Sequence, residues 1–140
     1  MGARRKAREL ALQMLFENDV TGTRPEEMFR RSGDLQKASA AVRDFTQRLV
    51  SGTLAHRDDL DVLISNQADN WRLSRMPIVD RNILRLALFE LLHEPATPRP
   101  VVIDEALEIA KRFSTPRSSQ FINGILDGVL KSRKAERPRG

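Results

Sequence analysis

The stretch IVDRNILRLALFELLH, residues 78–93, decides the fold of this 140-residue chain. At about 100° per residue, its apolar side chains cover most of the circumference of a helix. Pro77 stands immediately before it, at a position that suits a helix start. Because a helix that is apolar on most sides is normally buried between several others, we predict a central helix over residues 78–93.

Glu90 lies near the middle of the apolar face of this segment. Leaving a buried carboxylate without a partner costs on the order of several kcal/mol, so Glu90 needs a cation or a hydrogen-bond donor. No nucleophile or metal ligand lies nearby in the sequence, which favours a structural role over a catalytic one. Arg81 and Arg85, on the same segment, are among the candidate partners.

Outward from this segment, helical spacing of apolar residues recurs along most of the chain. The proline-rich connection 94–100 cannot remain helical, and residues 34–41 are expected to form a loop or a frayed helical piece. No segment is a confident strand, so we predict an all-α chain with about seven helices. The predicted helices are Arg4–Asn18, Pro25–Phe29, Val42–His56, Asp58–Ala68, Ile78–His93, Val101–Phe113 and Ser119–Lys131.

Composition and motifs indicate a cytoplasmic binding protein. The chain has no cysteine, opens with charged residues where a signal peptide would be apolar, and contains no apolar run of about 20 residues. We find no phosphate-binding loop and no catalytic motif, and we expect neither an enzyme nor a cofactor. His56 and His93 are expected to be helix-end residues. The acidic cluster 58–61 lacks the spacing of a calcium loop, so no metal is expected.

The positive charge is concentrated at the two ends of the chain. The net charge is +5, and residues 1–8 and 131–140 each contribute +4, which leaves −3 for residues 9–130. Basic ends on a slightly acidic body indicate a polyanion partner whose phosphates supply salt-dependent affinity. For residues 131–140 a solvated, disordered tail is an equal alternative.

The N-terminal basic cluster lies on a predicted helix that is anchored by its own apolar stripe. Ala7, Leu10, Ala11, Met14 and Leu15 form that stripe at positions i, i+3, i+4, i+7 and i+8. The basic residues at positions 4, 5 and 8 fall to one side of it. A cation cluster fixed on a helix suits contact with a backbone of defined shape.

Three blocks of the sequence resemble the NusB family of transcription antitermination factors. They are ARRKARELALQMLF (3–16), VDRNILRLALFELL (79–92) and VVIDEALEIAKRFSTPRSSQFINGILDGVL (101–130), in the family's order and spacing. FINGILD and VVIDEALEIAKRFS are specific, whereas ARRKARE alone is weak. The chain departs from the family pattern in the variable stretch 22–41, and at Arg117, where the family commonly has an acidic residue before the serine.

The resemblance implies one RNA-binding domain over residues 1–140, built as two helical bundles. The N-terminal bundle would span about 3–70, the C-terminal bundle about 71–133, and the basic tail 134–140. Family members bind the boxA element of rRNA leaders as single-stranded RNA, together with the ribosomal protein NusE. With other Nus factors they join RNA polymerase in an antitermination complex that completes rRNA transcription. They occur as monomers and as homodimers.

The resemblance also implies site residues. Cations and an amide on the first helix would meet phosphates and base edges, and the start of the last helix would form a second contact. Phe121 either stacks on a base or belongs to the core. The implied RNA-binding residues are Arg4, Arg5, Lys6, Arg8, Gln13, Arg117, Ser118, Phe121 and Asn123. The partner is expected on an exposed face of the C-terminal half, with Asp80, Arg81, Leu84 and Arg85 as candidates, although Arg81 and Arg85 could equally form internal salt bridges.

Smaller expectations concern Trp71 and Gly124. Trp71 is expected to plug the junction between the bundles rather than stack on a base, and Gly124 to allow close helix packing.

Two rival functions remain. One is a helical adaptor whose basic ends only confer solubility. The other is the accessory domain of an rRNA cytosine methyltransferase, which would need a glycine-rich cofactor loop that the sequence to Gly140 does not contain.

Overall fold

The structure, a computed structural model, describes residues 2–68 and 72–136, and the side chains of that range up to residue 133. Trp71 and the side chains of the basic tail lie outside the described residues. The described part contains eight α-helices and one short 3₁₀ turn, Leu73–Arg75, and has no strand. The all-α prediction is confirmed. The helices are α1 (Ala3–Thr21), α2 (Pro25–Arg31), α3 (Gly33–Lys37), α4 (Ala40–Ala55), α5 (Arg57–Gln67), α6 (Ile78–His93), α7 (Arg99–Phe113) and α8 (Pro116–Glu136).

The additional helix is α3, which falls where the sequence left a choice between a loop and a frayed helical piece. The Ser32 hydroxyl accepts the Leu35 N–H and so caps its start, and Ser39 caps α4 in the same way through the Val42 N–H. Gly22 ends α1 with a φ of 75°, a left-handed conformation that glycine adopts without steric cost.

Helix α6 is the centre of the fold, as predicted. It contacts α1, α4, α5, α7 and α8, and every residue from 82 to 91 is buried. Burial on all sides follows from its sequence, because apolar side chains occur around the whole helix. The other helices each bury one face against α6 or against a neighbour, and the buried apolar residues form one cluster.

The remaining contacts fall into two groups, with α5 between them. Helices α1 to α4 contact one another, and α7 packs against α8, whereas α5 packs against α6 and α8. The division into two bundles near residue 70 stays a prediction. None of the helices in the described ranges is long and apolar enough to span a membrane.

Candidate nucleic-acid interface

The N-terminal end of α1 lies beside the connection between α6 and α7. We call the surface formed here the basic front. It consists of residues 3–8 of α1, the connection 94–98, Glu105 of α7, and Phe45 and Arg48 of α4. A groove of about 470 Å³ runs between α1 and the connection. The central helix creates this arrangement, because α1, α4 and α7 all pack on it.

Arg8 is buried. The expectation that it lies on the surface and contacts RNA is therefore wrong. Its side chain is 4% exposed and that of Glu90 is 1% exposed. Arg8 Nε and Nη2 donate to the two Glu90 oxygens at 2.9 and 2.6 Å. The buried face of α1 is wider than the predicted stripe, since Leu12, one turn after Arg8, is buried too.

The same ion pair answers the question that Glu90 raised in the sequence. Its partner is Arg8 of α1 and not Arg81 or Arg85 of its own helix. Arg81 precedes Glu90 by nine residues, roughly 13 Å along the helix axis, which is too far for a direct pair. The predicted structural role of Glu90 agrees with its burial inside the helix packing.

Arg5 lies at the edge of the groove and is bound to Glu105 of α7. Arg5 Nη2 donates to Glu105 Oε2 at 2.5 Å, and Nε lies 3.1 and 3.2 Å from the two carboxylate oxygens. These hydrogen bonds hold the pKa of Glu105 below its usual value, although burial opposes them. The Glu105 carboxylate therefore stays charged and offsets part of the positive charge of Arg5.

Arg4, Lys6 and Gln13 are exposed on α1, as expected for residues that meet RNA. The Arg4 guanidinium carbon lies 4.3 Å from the centre of the Phe45 ring, and its Nη1 donates to the Thr97 hydroxyl at 3.3 Å. An aromatic face attracts and orients a guanidinium. Arg4 is thus a cation held in one place by uncharged groups.

The start of α8 forms a second surface. Arg117 and Asn123 are exposed, while Ser118 and Phe121 are partly buried. Arg117, Ser118 and Phe121 line a mostly apolar cavity of about 320 Å³ together with Met76 and Pro77. A partly exposed ring beside an exposed guanidinium is an arrangement on which a base can stack.

The hydroxyl of Ser118 is engaged inside the protein. It donates to Asp80 Oδ2 at 2.8 Å, and Ser114 donates to Asp80 Oδ1 at 2.7 Å. Asp80 is 2% exposed and fixes the junction of α7 and α8 to the start of α6. Ser118 therefore helps to hold the second surface in place through its hydrogen bond to Asp80.

The expectation that Asp80, Arg81, Leu84 and Arg85 form an exposed docking face is wrong. Leu84 is 0% exposed and Arg85 is 7% exposed, because α6 is covered on all sides. Arg85 donates to Asp61 at 2.7 Å, and Arg81 donates to Asp19 at 2.7 and 2.8 Å. The alternative reading of both arginines, as internal salt-bridge partners, fits these contacts.

Asp19 is the acceptor at the centre of this internal network. Burial by itself would raise its pKa, but hydrogen bonds from Arg81 and Asn82 and the charge of Arg85 lower it below the usual value. The hydrogen bonds that Arg81 donates to Asp19 likewise raise the pKa of Arg81. The network joins α1 to α6, and the shifts of Asp19 and Arg81 both favour their charged forms.

Sequence reasoning missed Arg48 of α4, whose guanidinium carbon lies 5.1 Å from the Phe45 ring that Arg4 also contacts. The available signal was its position three residues after Phe45 in the predicted helix Val42–His56, because residues three apart are neighbours on a helix surface. His56 and His93 end α4 and α6 as predicted, and their rings stack 4.0 Å apart. No group of three or more metal-binding side chains occurs in the part of the chain that the structure describes.

Fold and site together define a class: an all-α protein that presents cations and a partly exposed ring on a rigid helical body. The family model described as NusB matches residues 5–131. A NusB transcription antitermination protein of Elusimicrobium minutum is 47% identical, over 96% of this chain and 97% of that protein. The chain belongs to the NusB family.

Solved structures agree with this assignment. A NusB structure from T. maritima has a TM-score of 0.83 and 35% identity, covering 91% of this chain and 90% of that one. A crystal structure of NusB and NusE in complex with double-stranded RNA has a TM-score of 0.85 at 24% identity, covering 94% of this chain and 98% of that one. Because the sequence identity to this second structure is 24%, the similarity shows that the two proteins share a fold.

Proposed function

We propose that this protein is a transcription antitermination factor that binds the boxA element of rRNA leaders as single-stranded RNA, together with NusE. In this role it joins RNA polymerase and other Nus factors in the cytoplasm and supports read-through of terminators. The proposal assigns binding, and no reaction or cofactor, to the chain. The observation that carries it is that the start of α1 exposes two cations, Arg4, which lines an open groove, and Lys6, two residues further along the helix.

Two separate surfaces support binding of an extended strand. The basic front supplies Arg4, Lys6 and the partly exposed Arg5, and Gln13 continues the exposed face of α1. The start of α8 supplies Arg117, Asn123 and the ring of Phe121. Single-stranded RNA recognition combines phosphate contacts with stacking and hydrogen bonding to splayed bases, and each surface offers one part of that combination.

The partner is proposed to be NusE, and its dock must lie away from the covered face of α6. Phe16 and Val20, four residues apart on the outer face of α1, are 38% and 55% exposed. We place part of the dock there, because exposed large apolar side chains one turn apart supply the kind of contact that a protein interface buries. Phe16→Ser is expected to weaken NusE binding in a pull-down or calorimetric titration. Val62→Ser, at a 59% exposed valine of α5, is the control and should leave it unchanged.

The test of the function is a titration of labelled boxA RNA, with and without NusE, at several salt concentrations. A scrambled single strand and a duplex of the same length are the competitors. Tighter binding of boxA than of both competitors, strengthened by NusE, is the expected result. Equal affinity for all three RNAs would mean that charge alone acts, and would sink the sequence-specific role.

The rival adaptor function predicts a different outcome of the same titration. If the basic ends only confer solubility, RNA binding at moderate salt should be absent with or without NusE. The accessory-domain rival predicts binding to folded rRNA instead of boxA. The family assignment and the full-length match to an antitermination protein favour the first function.

Arg117 provides a further test at the second surface. An exposed cation beside the cavity should strengthen non-specific RNA affinity, where the family commonly has an acid. Arg117→Asp is therefore expected to weaken binding of any single strand and to lower its salt dependence. If the variant binds boxA and scrambled RNA as the parent does, Arg117 does not face the RNA.

A further inference from the structure

We propose that the RNA-binding surface extends from α1 onto α4, where Arg48 binds a phosphate of the strand beside Arg4. In the absence of RNA, Glu94 occupies the Arg48 guanidinium, and the phosphate displaces it. The inference rests on the proposed RNA-binding function and adds to it a residue of α4 and an intramolecular competitor.

The first observation is the shared position of the two arginines. Arg4 and Arg48 lie 4.3 and 5.1 Å from the centre of the Phe45 ring, so both guanidinium groups contact the same ring although they belong to different helices. The Arg48 side chain is 51% exposed. Phe45, which is 5% exposed, is the fixed support that orients both guanidinium groups.

The second observation is the geometry of the pair between Arg48 and Glu94. Arg48 Nη2 donates to Glu94 Oε1 at 2.9 Å, and Nε lies 3.1 and 3.2 Å from the two oxygens. A guanidinium fork binds the two free oxygens of a phosphodiester in the same planar, bidentate manner. Glu94 therefore marks the place that a phosphate would take.

The third observation is that this carboxylate can be exchanged, whereas the neighbouring one cannot. Exposed ion pairs contribute little to stability, because water solvates both charges when they separate. The Arg48 side chain is 51% exposed and that of Glu94 is 14% exposed, so water reaches the pair and Glu94 can be released at a lower cost than Glu90. The pair between Arg8 and Glu90 is 4% and 1% exposed, and breaking it would leave buried charges without partners.

Charge around Phe45 favours an incoming anion. Arg4, Arg8 and Arg48 all lie within 5.7 Å of the ring centre. Glu90 offsets Arg8 and Glu94 offsets Arg48, but the hydrogen-bond partner of Arg4 is the uncharged Thr97 hydroxyl. A phosphate placed between Arg4 and Arg48 would be attracted by both arginines. The Glu94 carboxylate is paired with Arg48 alone.

The test compares Arg48→Gln, Glu94→Gln and the double variant in titrations of single-stranded boxA RNA over a salt series. Arg48→Gln should weaken binding several-fold and reduce the slope of log K against log salt by about 0.7, the value for one phosphate contact to a single strand. Glu94→Gln should strengthen binding, since Arg48 is then free for the RNA. In the Arg48→Gln background, the same Glu94 change should have almost no effect.

Arg24→Gln is the matched control, because it removes the same charge from an exposed position beyond the far end of α1. Arg48→Gln behaving like this control, while the parent binds RNA, would overturn the inference and leave the proposed function standing. An equal gain from Glu94→Gln with and without Arg48 would also overturn it, since that gain reflects net charge alone. A parent protein that does not bind RNA would overturn both. Thermal melts of each variant establish that the fold is retained.

Discussion

Arg8 and Glu90 form an ion pair that is almost fully withdrawn from water. Burying two charges is costly, and their attraction offsets this only when the hydrogen bonds are well formed. Here both Glu90 oxygens accept from Arg8, and Arg8 Nη1 also lies 3.4 Å from Glu105. The pair fixes α1 against α6 at the base of the basic front and so determines how the exposed cations beside it are presented.

Removing one partner should be far worse than removing both. Arg8→Met leaves the Glu90 carboxylate buried and alone, and is expected to destabilise the protein by about 3–5 kcal/mol. The double variant Arg8→Met, Glu90→Leu should recover most of that loss. Urea unfolding followed by circular dichroism measures both effects. A single variant within about 1 kcal/mol of the parent would mean that water or Arg5 compensates the carboxylate.

Asp19 predicts a dependence of stability on acid pH. Its folded-state pKa is lowered, as hydrogen bonds from Arg81 and Asn82 outweigh its burial. A lowered folded-state pKa adds stability that is fully present above the unfolded value of 3.8 and is lost as pH falls through the folded value. The stability difference between the parent and Asp19→Asn should therefore be largest near neutral pH and shrink below about pH 4.

Unfolding free energies at pH 7, 5, 4 and 3 provide the measurement. Asp127→Asn is the control, because its side chain is 57% exposed in a surface pair with Lys131. Surface pairs of this kind contribute at most about 1 kcal/mol, so the control should show little change with pH. A constant difference between the parent and Asp19→Asn from pH 7 to 3 would contradict the role of the Asp19 charge.

At the scale of elements, two glycines inside helices have opposite roles. Gly52 of α4 lies against the ring of Phe89 of α6, and a Cβ there would overlap the ring. The ring cannot easily move, because it is 5% exposed and stacks with His56 and His93. Gly124 of α8 was expected to allow close packing, but nothing lies within 4 Å of a Cβ at that position, so that expectation is wrong.

Alanine at the two positions should therefore change stability in opposite directions. Gly52→Ala is expected to cost about 1–3 kcal/mol through overpacking. Phe89→Leu in that background should return part of the loss. Gly124→Ala should stabilise by roughly 0.5–1 kcal/mol, since alanine is the better helix former in open space. Thermal and urea unfolding of the variants distinguish the two cases, and equal effects at both positions would refute the packing argument.

Elements were predicted from the sequence more successfully than contacts between them. The apolar run 78–93 could indicate a buried central helix because apolar side chains surround it. Arg8 shows the limit of such reasoning. One helix pattern cannot tell an exposed arginine from a buried one whose partner lies 82 residues away. The carboxylate of Glu90 indicated that a partner was needed, but the packing of α1 on α6 determines which residue supplies it.

At the scale of the whole molecule, the positive charge of the basic front is smaller than the sequence cluster suggests. Of the cations at positions 4, 5, 6 and 8, Arg5 and Arg8 face the carboxylates of Glu105 and Glu90. The sequence places four positive charges on one helix end, but the carboxylates that offset two of them come from α6 and α7. Charge counting along the chain could locate the front, whereas its effective charge depends on the fold.

Substituting the exposed cations should therefore weaken RNA binding and leave stability unchanged, whereas substituting the buried Arg8 should lower stability. The double variant Arg4→Gln, Lys6→Gln removes exposed charges and should leave the melting temperature nearly unchanged. Its RNA affinity should fall, and the slope of log K against log salt should decrease by about 1.4, the value for two phosphate contacts to a single strand. Arg8→Gln should instead lower the melting temperature, while the folded protein keeps most of its salt slope.

The control for the double variant is Arg24→Gln, which removes an exposed charge beyond the opposite end of α1, whose 19 residues span roughly 28 Å. Over that distance, salt at physiological strength screens the charge from a strand bound at the basic front. A variant with the charges of Arg4, Arg5 and Arg8 all reversed would not separate RNA contact from stability, because loss of the buried pair between Arg8 and Glu90 could abolish binding by unfolding the protein. If Arg4→Gln, Lys6→Gln kept the full salt slope, the strand would have to follow another face, and the cation pair that carries the proposed function would not contact RNA.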